Sequence, residues 1–129
     1  MRFMMLVKHA ENQGQPPKEL MEAIGKLAEE AAKAGNMVLS GGLAPTAMST
    51  KVRVSKGQVA AIDGPFTEAK EVVGGFAIFE LKSKQEAIEG AKRFMELHRK
   101  HWPGWEGETE VRQLFGPDDF PPNNDGCTQ

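Results

Sequence analysis

The sequence predicts an α+β domain in which two helices cover one face of an antiparallel sheet and a β-hairpin is added. Apolar runs of strand length, at residues 2–7 and 72–81, alternate with two segments of helical periodicity. The segment TKVRVSKGQVAAID, at 50–63, alternates apolar and polar residues around a Lys-Gly turn. We expect one domain over residues 1–116 and an irregular, Pro/Asp/Asn-rich tail at 117–129.

The first half of the chain reads as strand, helix, strand. RFMMLV is a continuous apolar run typical of a buried strand. From Pro17 to Ala34, leucine, isoleucine and alanine recur at helical spacing, and Gly35 and Asn36 then tolerate the positive φ that ends a helix. MVLSGGL, at 37–43, predicts a second strand.

The second half reads as hairpin, strand, helix, strand. In VVGGFAIFEL, the pair Gly74-Gly75 indicates a bulge or a close backbone approach. Ser83 and Glu86 have capping-box spacing and predict a helix start, and Pro103 predicts its end. TEVRQLF, at 109–115, predicts the last strand.

Without the hairpin, the order β-α-β-β-α-β is that of the ferredoxin-like fold. Two helices cover only one face of such a sheet, yet the strands at 3–6 and 76–79 carry apolar residues on both faces. A second copy can cover the other face. We therefore expect a homodimer, a dimeric α+β barrel with an enclosed space between its sheets.

Composition excludes several classes of function. The net charge of −2 gives no electrostatic footprint for nucleic acid, and no apolar run reaches the roughly 20 residues that span a bilayer. A single cysteine, Cys127, forms no disulfide within the chain and is typical of a reducing cytoplasm.

Several motifs together resemble one protein family. They are DGPFTEAKE at 63–71 with the following VVGGFAIFEL, the upstream LVKHAE, GGLAPT and KVRVSKGQVAAIDGPF, and the closing GETEVRQLFG. The chain is similar over residues 1–116 to the YCII-related, or DGPF-domain, proteins. The resemblance implies a dimeric α+β barrel, a bacterial cytoplasmic protein with enzymatic activity of unassigned reaction, and genes near those of extracytoplasmic-function sigma factors. The segment LHRKHWPGWEG departs from the family pattern.

Asp63 has two interpretations. Asp-Gly and Gly-Pro are turn-forming pairs, and an aspartate can accept hydrogen bonds from nearby backbone amides. A carboxylate at the end of a strand, at the mouth of a cavity, is also where a general base would lie if burial raised its pKa. Both interpretations stay open here.

His9, at the end of the first strand, is the candidate partner of Asp63, because imidazole titrates near neutral pH. The alternative is a surface histidine. The resemblance to relatives with a suggested His-Asp pair adds some support to the acid/base role, but the residues themselves favour a surface histidine at a strand end.

The expected substrate-binding residues surround the motif. They are Arg53, Glu68 and Lys70 for an anionic group, and Phe66 and Trp102 as apolar walls. Trp102 and Trp105 also suit a lid over the core. His98 and His101 are spaced to share a helix side, but too few further ligands accompany them to predict a metal site.

We therefore expect a small homodimeric enzyme or binding protein. It would act on a small organic molecule in an inter-sheet pocket, by lyase- or isomerase-like acid/base chemistry and without a bound cofactor. The alternative is a ligand-sensing or regulatory module linked to an extracytoplasmic-function sigma factor.

Overall fold

The computed structural model describes residues 1–66 and 69–119 of the chain. Within the described residues, six strands and two long helices follow in the predicted order. They are β1 (Arg2–His9), α1 (Lys18–Lys33), β2 (Met37–Gly42), β3 (Thr50–Ser55), β4 (Gln58–Asp63), β5 (Val72–Glu80), α2 (Lys84–His101) and β6 (Gly107–Leu114). Short 3₁₀ turns lie at Thr46–Met48 and Pro117–Asp119, and the rest of the predicted tail lies outside the described residues.

Four strands form one antiparallel sheet in the order β2-β5-β1-β6. This α+β arrangement with two helices is compatible with the ferredoxin-like fold. Strands β3 and β4 form a separate hairpin, closed by a turn in which Lys56 and Gly57 both have positive φ. Every residue of the two hairpin strands is exposed.

The ends of α2 follow the sequence signals. The Ser83 side chain accepts a hydrogen bond from the backbone amide of Glu86 at 3.2 Å, which satisfies one of the free amides of the first turn. The helix ends at His101, just before Trp102 and Pro103.

The buried core lies beneath α2. Phe3 and Met5 of β1 pack against Leu81 and against Ala87 and Ala91 of the helix. Phe79 and Val111 border this cluster from the neighbouring strands. The small alanine side chains let α2 approach the central strand closely, so this half of the sheet is well covered.

Helix α1 packs against α2 and β2. Among its residues, Leu20 is the buried one, and Ile24, Leu27, Ala28 and Ala31 are half-buried. A cavity of about 950 Å³ separates the apolar side of α1 from the sheet. We call it the helix–sheet cavity.

No described helix is long and apolar enough to cross a membrane.

Candidate functional site

The helix–sheet cavity lies between the two helices and the covered face of the sheet. Its walls are mostly apolar, with contributions from Leu20, Ile24 and Leu27 of α1 and from Met5 and Val7 of β1. Its size is within the range of small-molecule pockets, which is about 300–1,000 Å³. Polar side chains gather at one end of it, where β1 ends.

His9 reaches this polar end because β1 places it on the covered face, in line with Phe3, Met5 and Val7. Its Nδ1 lies 2.8 Å from the carbonyl oxygen of Ala10. A carbonyl only accepts hydrogen bonds, so Nδ1 carries a proton and donates it, and in the neutral ring Nε2 keeps the lone pair.

Gly74 makes room for the His9 ring. A Cβ at this position would lie 2.1 Å from His9 Nε2, which is far inside van der Waals contact. Gly74 is also skipped in the pairing of β1 with β5, where the register shifts after Val7. The register shift confirms the bulge that was one of the two features predicted from the Gly-Gly pair, and an imidazole side chain packs closely against the bulged residue.

The ring of Trp105 lies beside His9 and connects it to a cluster of further rings. Trp105 packs 6.1 Å from His9 and 4.5 Å from His98 between ring centroids, and Trp102 stacks on Trp105 at 6.0 Å. Gly107 permits this arrangement, since a Cβ there would lie 2.4 Å from the Trp105 ring. We call Phe94, His98, Trp102 and Trp105 the aromatic corner of the cavity.

His98 is the most buried polar residue described, with 6% of its surface exposed. Its Nδ1 donates to the carbonyl of Phe94, 2.9 Å away, so its Nε2 also keeps the lone pair in the neutral ring. Burial lowers the pKa of His98, because a charged imidazolium is disfavoured away from water, and the nearby charge of His9 acts in the same direction.

Glu11 connects the end of β1 to the motif at 63–71 through hydrogen bonds to Thr46. Its carboxylate accepts hydrogen bonds from Thr46 Oγ1 at 2.6 Å and from the Thr46 amide at 2.5 Å, and these bonds lower the pKa of Glu11. Thr46 Oγ1 in turn accepts a bond from the Phe66 amide at 3.3 Å. Sequence reasoning missed Glu11 and Thr46, because nothing in their spacing indicates that they meet.

The motif residues dock on the 3₁₀ turn at Thr46–Met48. A Cβ at Gly64 would lie 1.7 Å from the Thr46 carbonyl oxygen, so only glycine fits there. Phe66 is buried, and the Lys51 ammonium lies 4.1 Å from the centre of its ring. The glycine and phenylalanine of the motif thus hold the base of the hairpin against the loop that borders the cavity.

Asp63 lies at the end of β4, on a different sheet from His9. Its carboxylate is exposed and accepts a hydrogen bond of 2.7 Å from Thr50 Oγ1, the residue opposite it in the hairpin. Within one chain the structure does not bring Asp63 and His9 together at the cavity. A catalytic role for Asp63 stays a prediction.

Of the other predicted site residues that the structure describes, one lines the cavity and three do not. Trp102 lines the cavity with His9. Arg53 and Lys70 are exposed and, like Phe66, are not among the described residues that line it. Glu68 lies outside the described residues.

The described residues contain no group of three or more side chains that could together hold a metal ion.

The chain is similar to one protein family over most of its length. The model of the YCII-related domain matches residues 1–96. An uncharacterized protein of Rhizobium meliloti (strain 1021) is 27% identical over 106 residues, which cover 81% of this chain and 82% of that protein. The family match ends within α2, so Trp102, Trp105 and β6 lie beyond it.

Replacing Gly74 by alanine should displace the His9 ring. The added Cβ has no room beside Nε2, so we expect a loss of about 1–3 kcal/mol in the free energy of unfolding, measured in urea. Tryptophan fluorescence should change as well, because His9 adjoins Trp105. Gly42→Ala, where a Cβ meets nothing within 4 Å, is the control. Equal stability of the two variants, together with unchanged tryptophan fluorescence in Gly74→Ala, would contradict this placement of His9.

Stability should also depend on pH through His98. Burial lowers its folded-state pKa below the ordinary 6.5, so the unfolded chain binds more protons in the interval between the two pKa values. The free energy of unfolding should be fully retained above about pH 6.5 and should fall below it, by at most ~1.4 kcal/mol per pH unit. Urea titrations over this interval measure the slope.

His98→Phe removes the titrating group and should flatten that slope, whereas His101→Phe should leave it in place. An unchanged slope in His98→Phe would show that another group causes the pH dependence.

Proposed function

This chain belongs to the YCII-related domain family, and we propose that it binds a small organic molecule in the helix–sheet cavity and acts on it by acid/base chemistry without a bound cofactor. One observation carries the proposal: a largely apolar cavity of about 950 Å³ has two histidines at one end, each with Nδ1 bonded to a backbone carbonyl. Such a cavity with few converging polar groups is the usual form of an active or binding site.

His9 is the proposed proton acceptor. It is half-buried, whereas His98 is almost fully buried beneath Trp105. A half-buried ring can exchange protons both with a bound molecule and with water, which a turnover cycle requires. The bond from Nδ1 to Ala10 fixes the tautomer and leaves Nε2 as the basic atom.

A proton-abstraction probe tests this role before the natural substrate is known. Nitrobenzisoxazole is a planar, apolar ring that opens to a coloured phenolate when a base removes one carbon-bound proton. We expect catalysis above the rate in free imidazole, and a loss of about a hundredfold or more in kcat/KM on His9→Asn. His101→Asn, at the end of α2, is the control for histidine removal.

An undiminished rate in His9→Asn, or no rate above that in imidazole, would rule out this function. Asp63→Asn decides the open role of the motif in the same assay. Retained turnover assigns Asp63 to the hairpin, where asparagine can still accept from Thr50, and a loss similar to that of His9→Asn assigns it to the chemistry.

We also propose that the chain works as a homodimer joined through the uncovered face of its sheet. The register places Met4, Leu6, Phe76 and Ile78 on this face, opposite the helices, and Leu39 extends it onto β2 with 54% of its surface exposed. Lys8, Glu110 and Arg112 border the apolar part with an ion-paired cluster.

The hairpin supports the same proposal. Val52, Val54 and Val59 share one of its faces and are each 70–73% exposed. A two-stranded hairpin with no further packing is marginally stable in water, so a partner surface against these valines accounts for their presence. A second copy would also decide whether an Asp63 reaches a cavity from across the dimer.

Light scattering should give twice the chain mass of 14.1 kDa, or about 28 kDa. Leu39→Lys places a charge on the uncovered face and should shift the mass toward one chain, because a buried unpaired charge is costly. Met48→Lys, at a position that is 79% exposed on the 3₁₀ turn, is the matched control. A native mass near that of one chain would refute the dimer.

A further inference from the structure

The aromatic corner favours a flat ring as the bound group. Trp102 and Trp105 stack on one another, and His98 lies between Trp105 and Phe94 at 4.5 Å and 4.7 Å from their centroids. All four side chains line the helix–sheet cavity. Aromatic walls of this kind pack well against planar ligands through offset or edge-to-face contacts.

Two side chains of the cavity wall, His98 in the aromatic corner and Thr109 of β6, have atoms that make no hydrogen bond to the described residues. His98 is 94% buried, its Nδ1 proton is given to Phe94, and its Nε2 makes no hydrogen bond to the described residues. Thr109 Oγ1 is buried and has no partner among the described residues. Both line the cavity. Buried polar atoms are normally satisfied, so a ligand that bonds to Thr109 Oγ1 would remove a real cost. A ligand that also bonds to His98 Nε2 would use a lone pair that has no partner among the described residues.

The charges around the cavity disfavour an anion. Glu11, Glu30 and Glu86 line it, and Arg93 is the cation among the described lining residues apart from the histidines. Both oxygens of Glu11 are already occupied by Thr46. A carboxylate ligand would therefore face a negatively biased wall and, at His98, a lone pair instead of a donor.

We propose that the cavity binds a neutral aromatic molecule that carries a hydroxyl or N–H donor. The ring packs in the aromatic corner, its donor bonds to His98 Nε2, and an apolar substituent extends along α1 past Leu20 and Ile24. For a hydroxyl ligand, Thr109 Oγ1 donates to the ligand oxygen. The inference rests on the proposed function in that it fills the same cavity, and it assigns His98 and Thr109 to binding while His9 keeps the proton transfer.

Three probes of matched size separate the possibilities. They are para-propylphenol, its methyl ether, which lacks the donor, and para-propylbenzoate, which is an anion at neutral pH. The chain has two tryptophans, both in the aromatic corner, and no tyrosine, so intrinsic fluorescence reports on this site directly. Isothermal titration calorimetry gives the dissociation constants independently.

We expect the phenol to bind about tenfold or more tightly than the ether, and the benzoate to bind most weakly, at neutral pH. Two separate variants, the isosteric Thr109→Val and His98→Phe, should each reduce the preference for the phenol over the ether severalfold. His101→Phe, at the same end of α2 but outside the cavity lining, should keep it. If His98→Phe fails to fold, Thr109→Val alone tests the assignment.

Equal affinity for phenol and ether, tightest binding of the benzoate, or a full preference in both cavity variants would overturn the inference. The result is separable from the proposed function. A phenol preference without His9-dependent turnover supports the binding site and ends the acid/base role. Turnover that depends on His9 without a phenol preference supports the acid/base role and ends the proposed binding site.

Discussion

The different packing of the two helices controls the rest of this structure. Helix α2 brings alanines down onto Phe3 and Met5 and closes its half of the sheet, whereas α1 is fixed at Leu20 and by its contacts with α2 and β2. The space under α1 is the helix–sheet cavity. Because β1 is central in the sheet, the same strand that anchors the core under α2 also carries His9 to the cavity.

The chemical character of the cavity follows from two backbone contacts. Each histidine gives its Nδ1 proton to a carbonyl, His9 to the next residue and His98 to the preceding helical turn. Both rings therefore offer a lone pair and not a donor in their neutral form. Glycines at 74 and 107 leave space for the His9 and Trp105 rings, so backbone shape and hydrogen bonding together set the site.

Much of the fold could be predicted from the sequence, because it rests on local signals. Strand alternation, the Lys-Gly turn, the Ser83 cap and the Pro103 stop act over a few residues, and the observed elements agree closely with them. The site was harder to predict. The contact between Glu11 and Thr46 joins residues 35 apart, and the cavity depends on how α1 packs, which periodicity does not report.

The role of the motif at 63–71 was also only partly predictable from its residue types. Its residue types indicate a turn and permit a catalytic acid, and the described part combines a hairpin end at Asp63 with tight docking of Gly64 and Phe66. His9 and Trp102 were identified from the sequence as candidates and line the cavity. His98, Trp105 and Thr109 complete it through contacts between α2, the following loop and β6.

The protonation state of the two histidines shows whether the cavity offers lone pairs at its polar end. Long-range proton–nitrogen NMR correlations of the side chains at neutral pH distinguish the two neutral tautomers from the imidazolium. We expect a neutral His98 with its proton on Nδ1 and a bare Nε2, and a proton on Nδ1 of His9. A proton on Nε2 of His98, in either a neutral or a charged ring, would contradict this expectation.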